Sequence, residues 1–257
     1  MMLPRVIPAL LLRGRGLVKT ERFKNPVYLG DPFNTIKIFN DKEVDELVLL
    51  DIAATAEGRG PDTRFLAEAC SEAFVPLGYG GGLRTVEQMH ELFKLGVEKV
   101  IVNSIALDDP TLIRRAADRF GSQSVVVSLD VKRRLLGGYS VWRANGTRDT
   151  GLDPVTYAVR MQQAGAGELL LTSIDRDGTF KGYDLDLVRT VSKAVDVPVV
   201  ACGGADSVAD LARAVTAGAS AVAAGALFVF QRPHRAVLIS FPSRSELARA
   251  FGSADSA

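Results

Sequence analysis

Short β-branched or leucine-rich runs alternate with amphipathic stretches along the whole chain. The apolar runs at residues 6–12, 47–52, 76–79, 100–103, 124–130, 169–173, 198–201 and 221–224 read as strands. The amphipathic stretches at 31–42, 62–73, 85–95, 110–120, 154–164, 184–194, 207–217 and 243–251 read as helices. Start signals support them: Asp31, Asp109 and Asp153 each precede a proline, and Thr85 and Ser207 precede their own helices. Gly96, Gly165 and Gly218 follow last turns, as helix stops do. Eight strand–helix units in 257 residues imply an α/β fold, a (β/α)8 barrel spanning 1–257 as one domain. A doubly wound open sheet is the alternative.

An internal repeat favours the barrel. Shifting the chain by 122 positions brings Pro76 onto Pro198, Gly81-Gly82 onto Gly203-Gly204, and Gly96 onto Gly218. The same shift brings Asp31-Pro32 onto Asp153-Pro154 and Glu46 onto Glu168. A shift of 119 lays VIPALLL, starting at Val6, on VVVSLDV, starting at Val125. Two half-barrels on one plan explain this, and an open sheet does not. The halves differ at one telling place: Leu11 falls on Asp130.

Two segments break the rhythm. Residues 13–30 carry Arg13, Arg15, Lys19, Arg22 and Lys24 and are expected to form a long loop that acts as a lid. Residues 133–152 alternate around Asn145-Gly146 and read as a hairpin extension. The tail after Phe251 reads as disordered.

Composition narrows the function classes. With 31 basic against 30 acidic residues the chain lacks the charge footprint of a nucleic-acid binder. Cys70 and Cys202 make no disulfide framework, and with two histidines and no Cys/His cluster no metal site and no cofactor are expected. The apolar run at 9–12 is too short for a membrane span or a signal segment, so a cytoplasmic protein without membrane contact is expected.

In a barrel of this type chemistry gathers where strands end. Gly81-Gly82 follows the third strand and Asn103-Ser104 ends the fourth; Gly203-Gly204 follows the seventh and Gly225-Ala226 ends the eighth. Glycines there let backbone N–H groups approach an anion, so each strand pair makes one phosphate cup. The alternative is that these glycines only make tight turns. Two cups at matching positions point to a phosphorylated small molecule with a phosphate at each end. Asp130 ends the fifth strand, either as an acid–base group or as a carboxylate that orients Lys132. Asp51 ends the second strand, and Thr172, Asp177 and Gly178 end or follow the sixth; Asp177-Gly178 also reads as an ordinary turn. At the opposite face Arg5, Glu46, Lys99 and Glu168 each stand one residue before a strand, with alternating sign. They are expected to converge as a salt-bridged ring at the N-terminal mouth, serving as a gate or as a device for fold specificity.

These residues resemble the HisF family, the cyclase subunit of imidazole glycerol phosphate synthase. The resemblance covers residues 5–230 and rests on DELVLLDI, PLGYGGGLRTVE, VNS, RFGSQSVVVSLDVK, GAGELLLTSIDRDGTFKGYDL and PVVACGG. It implies a half-barrel duplication with two phosphate cups and a HisH-like glutaminase docked at the N-terminal face. Ammonia then passes a charged gate, matched here by Arg5, Glu46, Lys99 and Glu168, and runs through the barrel to the active site. Lys19 matches the lid lysine and Asp130 one of two catalytic aspartates. The family's first-strand motif reads like IPCLDV, whereas this chain has IPALLL, with Leu11 at the position of the other aspartate. That departure, with GLVKTERFKNPVYLGDP and FVFQRPHRAVLISFPS, resembles a divergent HisF-like branch associated with surface polysaccharide. The branch implies a further partner, a sugar amidotransferase, and conversion of an acetamido to an acetamidino group. Three functions follow: an ammonia-conducting subunit for that modification, a cyclase of histidine biosynthesis working with Asp130 alone, or a non-catalytic activator of the glutaminase.

Overall fold

In the computed structural model, which describes residues 3–254, eight parallel strands close into a barrel. They are β1 (Arg5–Arg13), β2 (Leu47–Asp51), β3 (Leu77–Gly80), β4 (Lys99–Val102), β5 (Val125–Arg133), β6 (Glu168–Ser173), β7 (Val199–Cys202) and β8 (Ala221–Ala224). Each pairs with the next, and β8 pairs with β1 through Arg5 to Ala221 and Pro8 to Ala224, which closes the ring. The outer helices are α1 (Pro32–Asp41), α2 (Thr63–Glu72), α3 (Val86–Leu95), α4 (Thr111–Phe120), α5 (Pro154–Ala164), α6 (Leu185–Ser192), α7 (Val208–Thr216) and α8 (Arg244–Ala254). Every expected strand and helix is present, within three residues at each end.

Local chemistry sets the helix boundaries. Asp31 and Asp153 cap α1 and α5 by accepting from the Asn34 and Thr156 amides. Thr85 and Gln88 form a reciprocal capping box on α3, and Gly96 ends that helix in the left-handed region at φ 106°. Each such cap contributes about 1 kcal/mol. Buried Val86, Met89 and Leu92 turn one face of α3 to the strands.

Strand alternation divides the core in two. Outward residues such as Val6, Leu10, Leu49 and Val100 join the helices in the larger outer layer. Inward residues Ile7, Ala9, Val48, Ile101, Val126, Leu170, Val200 and Ala223 fill the barrel axis. Because side chains repeat every second residue, the inward row of β1 runs Arg5, Ile7, Ala9, Leu11. Charge lies at the bottom of that row, an apolar plug in the middle, and the mouth at the top.

The two halves also share their excursions. β1 and β5 both overrun the barrel and pair antiparallel with a following strand: Leu11 with Val18, and Asp130 with Trp142. Residues 13–30 are therefore not a structureless loop. They form a ribbon of Gly16–Glu21 against Lys24–Gly30, because Leu17, Val18, Lys19 and Thr20 are buried against the mouth while their partners face solvent. The expected hairpin in 133–152 is present, with Tyr139–Arg143 paired to Arg148–Asp149. A small ribbon that the apolar pattern does not signal pairs Phe230–Gln231 with Ala236–Val237. The expected disorder after Phe251 is corrected as far as Ala254: buried Leu247 and Phe251 anchor α8 against α7, and the helix continues to Ala254. Residues 255–257 of that tail lie outside the described residues. No helix among the described residues is long and apolar enough to cross a membrane.

Candidate active site

A cavity of about 450 Å³ opens at the C-terminal ends of the strands. Asp130 stands in its wall on the inward row of β5. Asn103 donates to Asp130 Oδ2 at 3.1 Å and to the Ser128 carbonyl at 3.0 Å, while the Ser128 hydroxyl donates to Oδ1 at 3.3 Å. Burial pushes the Asp130 carboxyl up from 3.8 to about 7; the Ser128 hydrogen bond opposes this, and the charge of Asp177 adds to it. A carboxyl that titrates near neutrality can both give and take a proton. Leu11 lines the same cavity with a side chain that can do neither.

The first cup is open. Gly81, Gly82, Asn103 and Ser104 all line the cavity. Gly82 has φ 69°, and a Cβ there would lie 2.5 Å from the Arg59 carbonyl oxygen, so only glycine keeps the turn this close. The second cup is closed. Gly225 lines the cavity, but Gly178, Gly203, Gly204 and Ala226 are buried behind it. The 16–30 ribbon lies against Gly178 and Gly225, through the Thr20 backbone and the Lys19 side chain, and Lys19 Nζ lies 2.8 and 3.0 Å from the Asp177 carboxylate, with both side chains buried. Thr20 adds a contact to Asp177 at 3.4 Å, and the Arg22 amide donates to the Asp177 carbonyl at 2.9 Å.

Asp51 and Thr172 line the cavity as well, but Asp51 is already engaged. Its oxygens accept from the Ala53 and Ala54 amides at 3.0 Å and from Arg59 at 2.7 and 3.0 Å. Those bonds to Asp51 hold the Arg59 guanidinium above its usual range. Asp51 thus anchors the loop beneath the first cup. The apolar pattern gives no sign of Arg59. It also misses the clamp in which Arg143 of the second hairpin grips Asp108 at 2.6 Å on both nitrogens, while Asn145 donates to the Ile52 carbonyl across the mouth. The sequence reading also misses Ser128, although period-two alternation along β5 puts it on the same face as Asp130. Cys202 lines the cavity, but burial raises its thiol to about 12, so it stays protonated. Among the described residues no three metal-binding side chains converge.

At the opposite end the ring closes. Arg5 bonds both Glu46 and Glu168, and Lys99 Nζ lies 2.7 Å from Glu46 and 3.1 Å from Glu168. Both carboxylates are buried and every charge has two opposite neighbours. Directly above, Ile7, Ala9, Val48, Ile101, Leu170 and Val200 bound a void of about 10 Å³, close to the size of one water.

An eight-stranded parallel barrel with a buried carboxyl beside a glycine-lined cavity at one mouth and a closed ion ring at the other defines the class, a (β/α)8 barrel. The family model described as histidine biosynthesis protein matches residues 5–233. The chain belongs to that family, and within it to the HisF group. It is 54% identical over 95% of its length to a Pseudomonas aeruginosa protein named "Putative imidazole glycerol phosphate synthase subunit hisF2", covering 97% of that protein. It is 48% identical over 97% of its length to the Vibrio vulnificus "Putative imidazole glycerol phosphate synthase subunit hisF3", again covering 97%. It is 45% identical over 89% of its length to the Alkaliphilus metalliredigens "Imidazole glycerol phosphate synthase subunit HisF", covering 91%.

Proposed function

We propose that this chain is the ammonia-receiving barrel subunit of a glutamine-dependent amidotransferase. A HisH-like glutaminase docks on the N-terminal face and releases ammonia at the ring of Arg5, Glu46, Lys99 and Glu168. The ammonia crosses the apolar axis as the neutral molecule and reaches the mouth beside Asp130. The acceptor is a surface-polysaccharide sugar whose acetamido group becomes an acetamidino group, with a separate sugar amidotransferase as third partner.

The closed ring beneath a void of one-molecule size carries this reading. Buried carboxylates and cations are costly to keep at the end of an otherwise apolar axis. Use in passing a small polar molecule explains their retention. Leu11 supports an acceptor chemistry other than ring closure, since it removes one of two proton-handling groups.

The test is co-purification with a HisH-like glutaminase, then transfer of the glutamine amide nitrogen. Capture of the glutaminase, with its activity raised and no imidazole product from the ribotide, supports the reading. Failure to bind any glutaminase, with no effect of Lys99→Ala and Glu168→Ala on ammonia use, removes it. A second reading, cyclisation in histidine biosynthesis by Asp130 alone, is favoured by the carboxyl's titration near pH 7. Brisk imidazole formation with free ammonia decides for it.

A further inference from the structure

A second cleft, of about 690 Å³, lies on the far side of the 16–30 ribbon from the mouth. Lys19 and Thr20 form a wall common to both cavities. Five cations line the cleft, Lys19, Arg22, Lys24, Lys132 and Arg235, against two acids, Glu21 and Asp175. Each acid already has a partner, and Asp175 also acts through its charge on Lys132. Glu21 holds Arg235 at 2.6 Å, and Asp175 accepts from the Arg133 amide at 2.9 Å. Lys19 is spent on Asp177.

Three cations remain with no carboxylate in salt-bridge reach among the described residues: Arg22, Lys24 and Lys132. Lys132 donates to the Gly146 carbonyl at 2.6 Å and lies 3.7 Å above the Trp142 ring, contacts that orient the ammonium without neutralising it. Burial holds Lys132 below its usual range; the charges of Asp175 and Asp149 oppose this, and the like charge of Lys24 adds to it. An anion between the two would relieve that repulsion.

Arg22 is placed there against local preference. Glu21 pairs with Lys24, so Arg22 and Phe23 form a two-residue turn, with φ 52° and 63°. That turn ordinarily takes Asn-Gly, because side chains bearing a Cβ are strained at positive φ. An arginine held in this conformation beside two unpaired lysines marks a functional position more than a folding one.

We propose that this cleft is a binding site for the diphosphate group of an organic ligand, held by Arg22, Lys24 and Lys132 and distinct from both glycine cups. A guanidinium and two ammonium groups match the charge of a diphosphate, and the cleft exceeds the size of a single phosphate. The shared wall at Lys19 places such a ligand next to the mouth. The site goes beyond the glutaminase reading and is tested by direct binding, so it stands or falls without ammonia transfer.

The experiment is calorimetric titration of the full chain with inorganic pyrophosphate and with uridine diphosphate. The expected result is binding of both, weakened at least tenfold by Arg22→Ala/Lys24→Ala and by Lys132→Met. The remote pair Arg64→Ala/Lys94→Ala, with the same loss of charge, changes affinity by less than twofold. Failure of the native chain to bind either probe at millimolar concentration overturns the site. So does equal weakening by the remote pair, which indicates only the overall field, or unchanged affinity in both cleft variants, which places the anion in the first cup.

Discussion

Leu11 pairs with Leu50 at the register where Asp130 pairs with Thr172. The two half-barrels therefore keep one geometry while one mouth wall is polar and the other apolar. Asp130 is bonded by Ser128 and Asn103, and its neighbour across the ladder carries a hydroxyl. Leu11 has an apolar side chain on that side, and both leucines line the cavity.

Placing a carboxylate at position 11 tests whether the mouth can carry out ring closure. Leu11→Asp removes a side chain that is only half-buried, so the fold should tolerate it. General acid–base catalysis contributes about 10² to 10⁴-fold. The new carboxylate faces Leu50 and gains no hydroxyl partner there, so the low end applies. Imidazole formation from the ribotide with free ammonia should rise about 10²-fold in steady-state assays. An unchanged rate would mean that the mouth no longer seats the ribotide.

Asp130 also predicts the pH dependence of stability. Its native carboxyl titrates at about 7 and its unfolded one near 3.8, so between those values the native state holds a proton that the unfolded chain has released. Stability then falls as pH rises through that window, by roughly 1.4 kcal/mol for each pH unit in which only the native carboxyl stays protonated. Asp130→Asn keeps an oxygen for the Asn103 amide and does not titrate. Urea unfolding from pH 5 to 8 should show a shallower decline in the variant, which becomes the more stable protein at pH 8. Parallel profiles would refute the burial of this charge.

The barrel was legible because its signals are local. Strand–helix units repeat eight times, Asp-Pro starts recur at Asp31, Asp109 and Asp153 and glycine stops at Gly96, Gly165 and Gly218, and Pro76 against Pro198 exposes the duplication. The ring was legible for the same reason: Arg5, Glu46, Lys99 and Glu168 occupy equivalent strand starts. The state of the second cup was not. Gly203 and Gly204 resemble Gly81 and Gly82 in sequence, but Gly203 packs on Ser173 and Asp177 and Gly204 on Gly182 and Arg176, and Asp177 in turn is held by Lys19, 158 residues away. Residues 13–30 carry enough charge to resemble a loop, while the burial of all four of Leu17, Val18, Lys19 and Thr20 is set by docking on the mouth. Arg59 on Asp51 and Arg143 on Asp108 likewise depend on loop geometry that no periodicity encodes.

The ring makes a stability prediction independent of its role. Lys99→Ala leaves buried Glu46 and Glu168 with only Arg5 between them. Removing one partner from a buried ion pair costs about 3–5 kcal/mol. Lys99 keeps some solvent contact, which lowers the expectation to about 2 kcal/mol. Lys99→Met/Glu168→Gln removes one charge of each sign and should recover more than half of the loss. The urea midpoints of the native chain, Lys99→Met, Glu168→Gln and the double variant give the coupling directly. Additive losses would mean that the ring is not an energetic unit.

The Lys19–Asp177 pair should control the ribbon over the second cup. Lys19→Ala strands a buried carboxylate under residues 16–30, a loss of about 3 kcal/mol when one partner of a buried pair is removed. Beyond its ladder with β1 and the burial of Leu17 and Val18, the ribbon's polar ties are few: Thr20 to the Asp177 carboxylate, the Arg22 amide to the Asp177 carbonyl, and Arg235 to Glu21 and to the Gly178 carbonyl. Opening should therefore be local, with the barrel intact. Hydrogen exchange at the amides of Val18 and Thr20 should accelerate roughly 10²-fold while those of β6 and β7 keep their protection. Lys19→Met/Asp177→Asn, which leaves no charge behind, should restore protection to within tenfold of the native chain. Equal acceleration in the single and double variants would show that packing of the ribbon, and not this ion pair, keeps the cup closed.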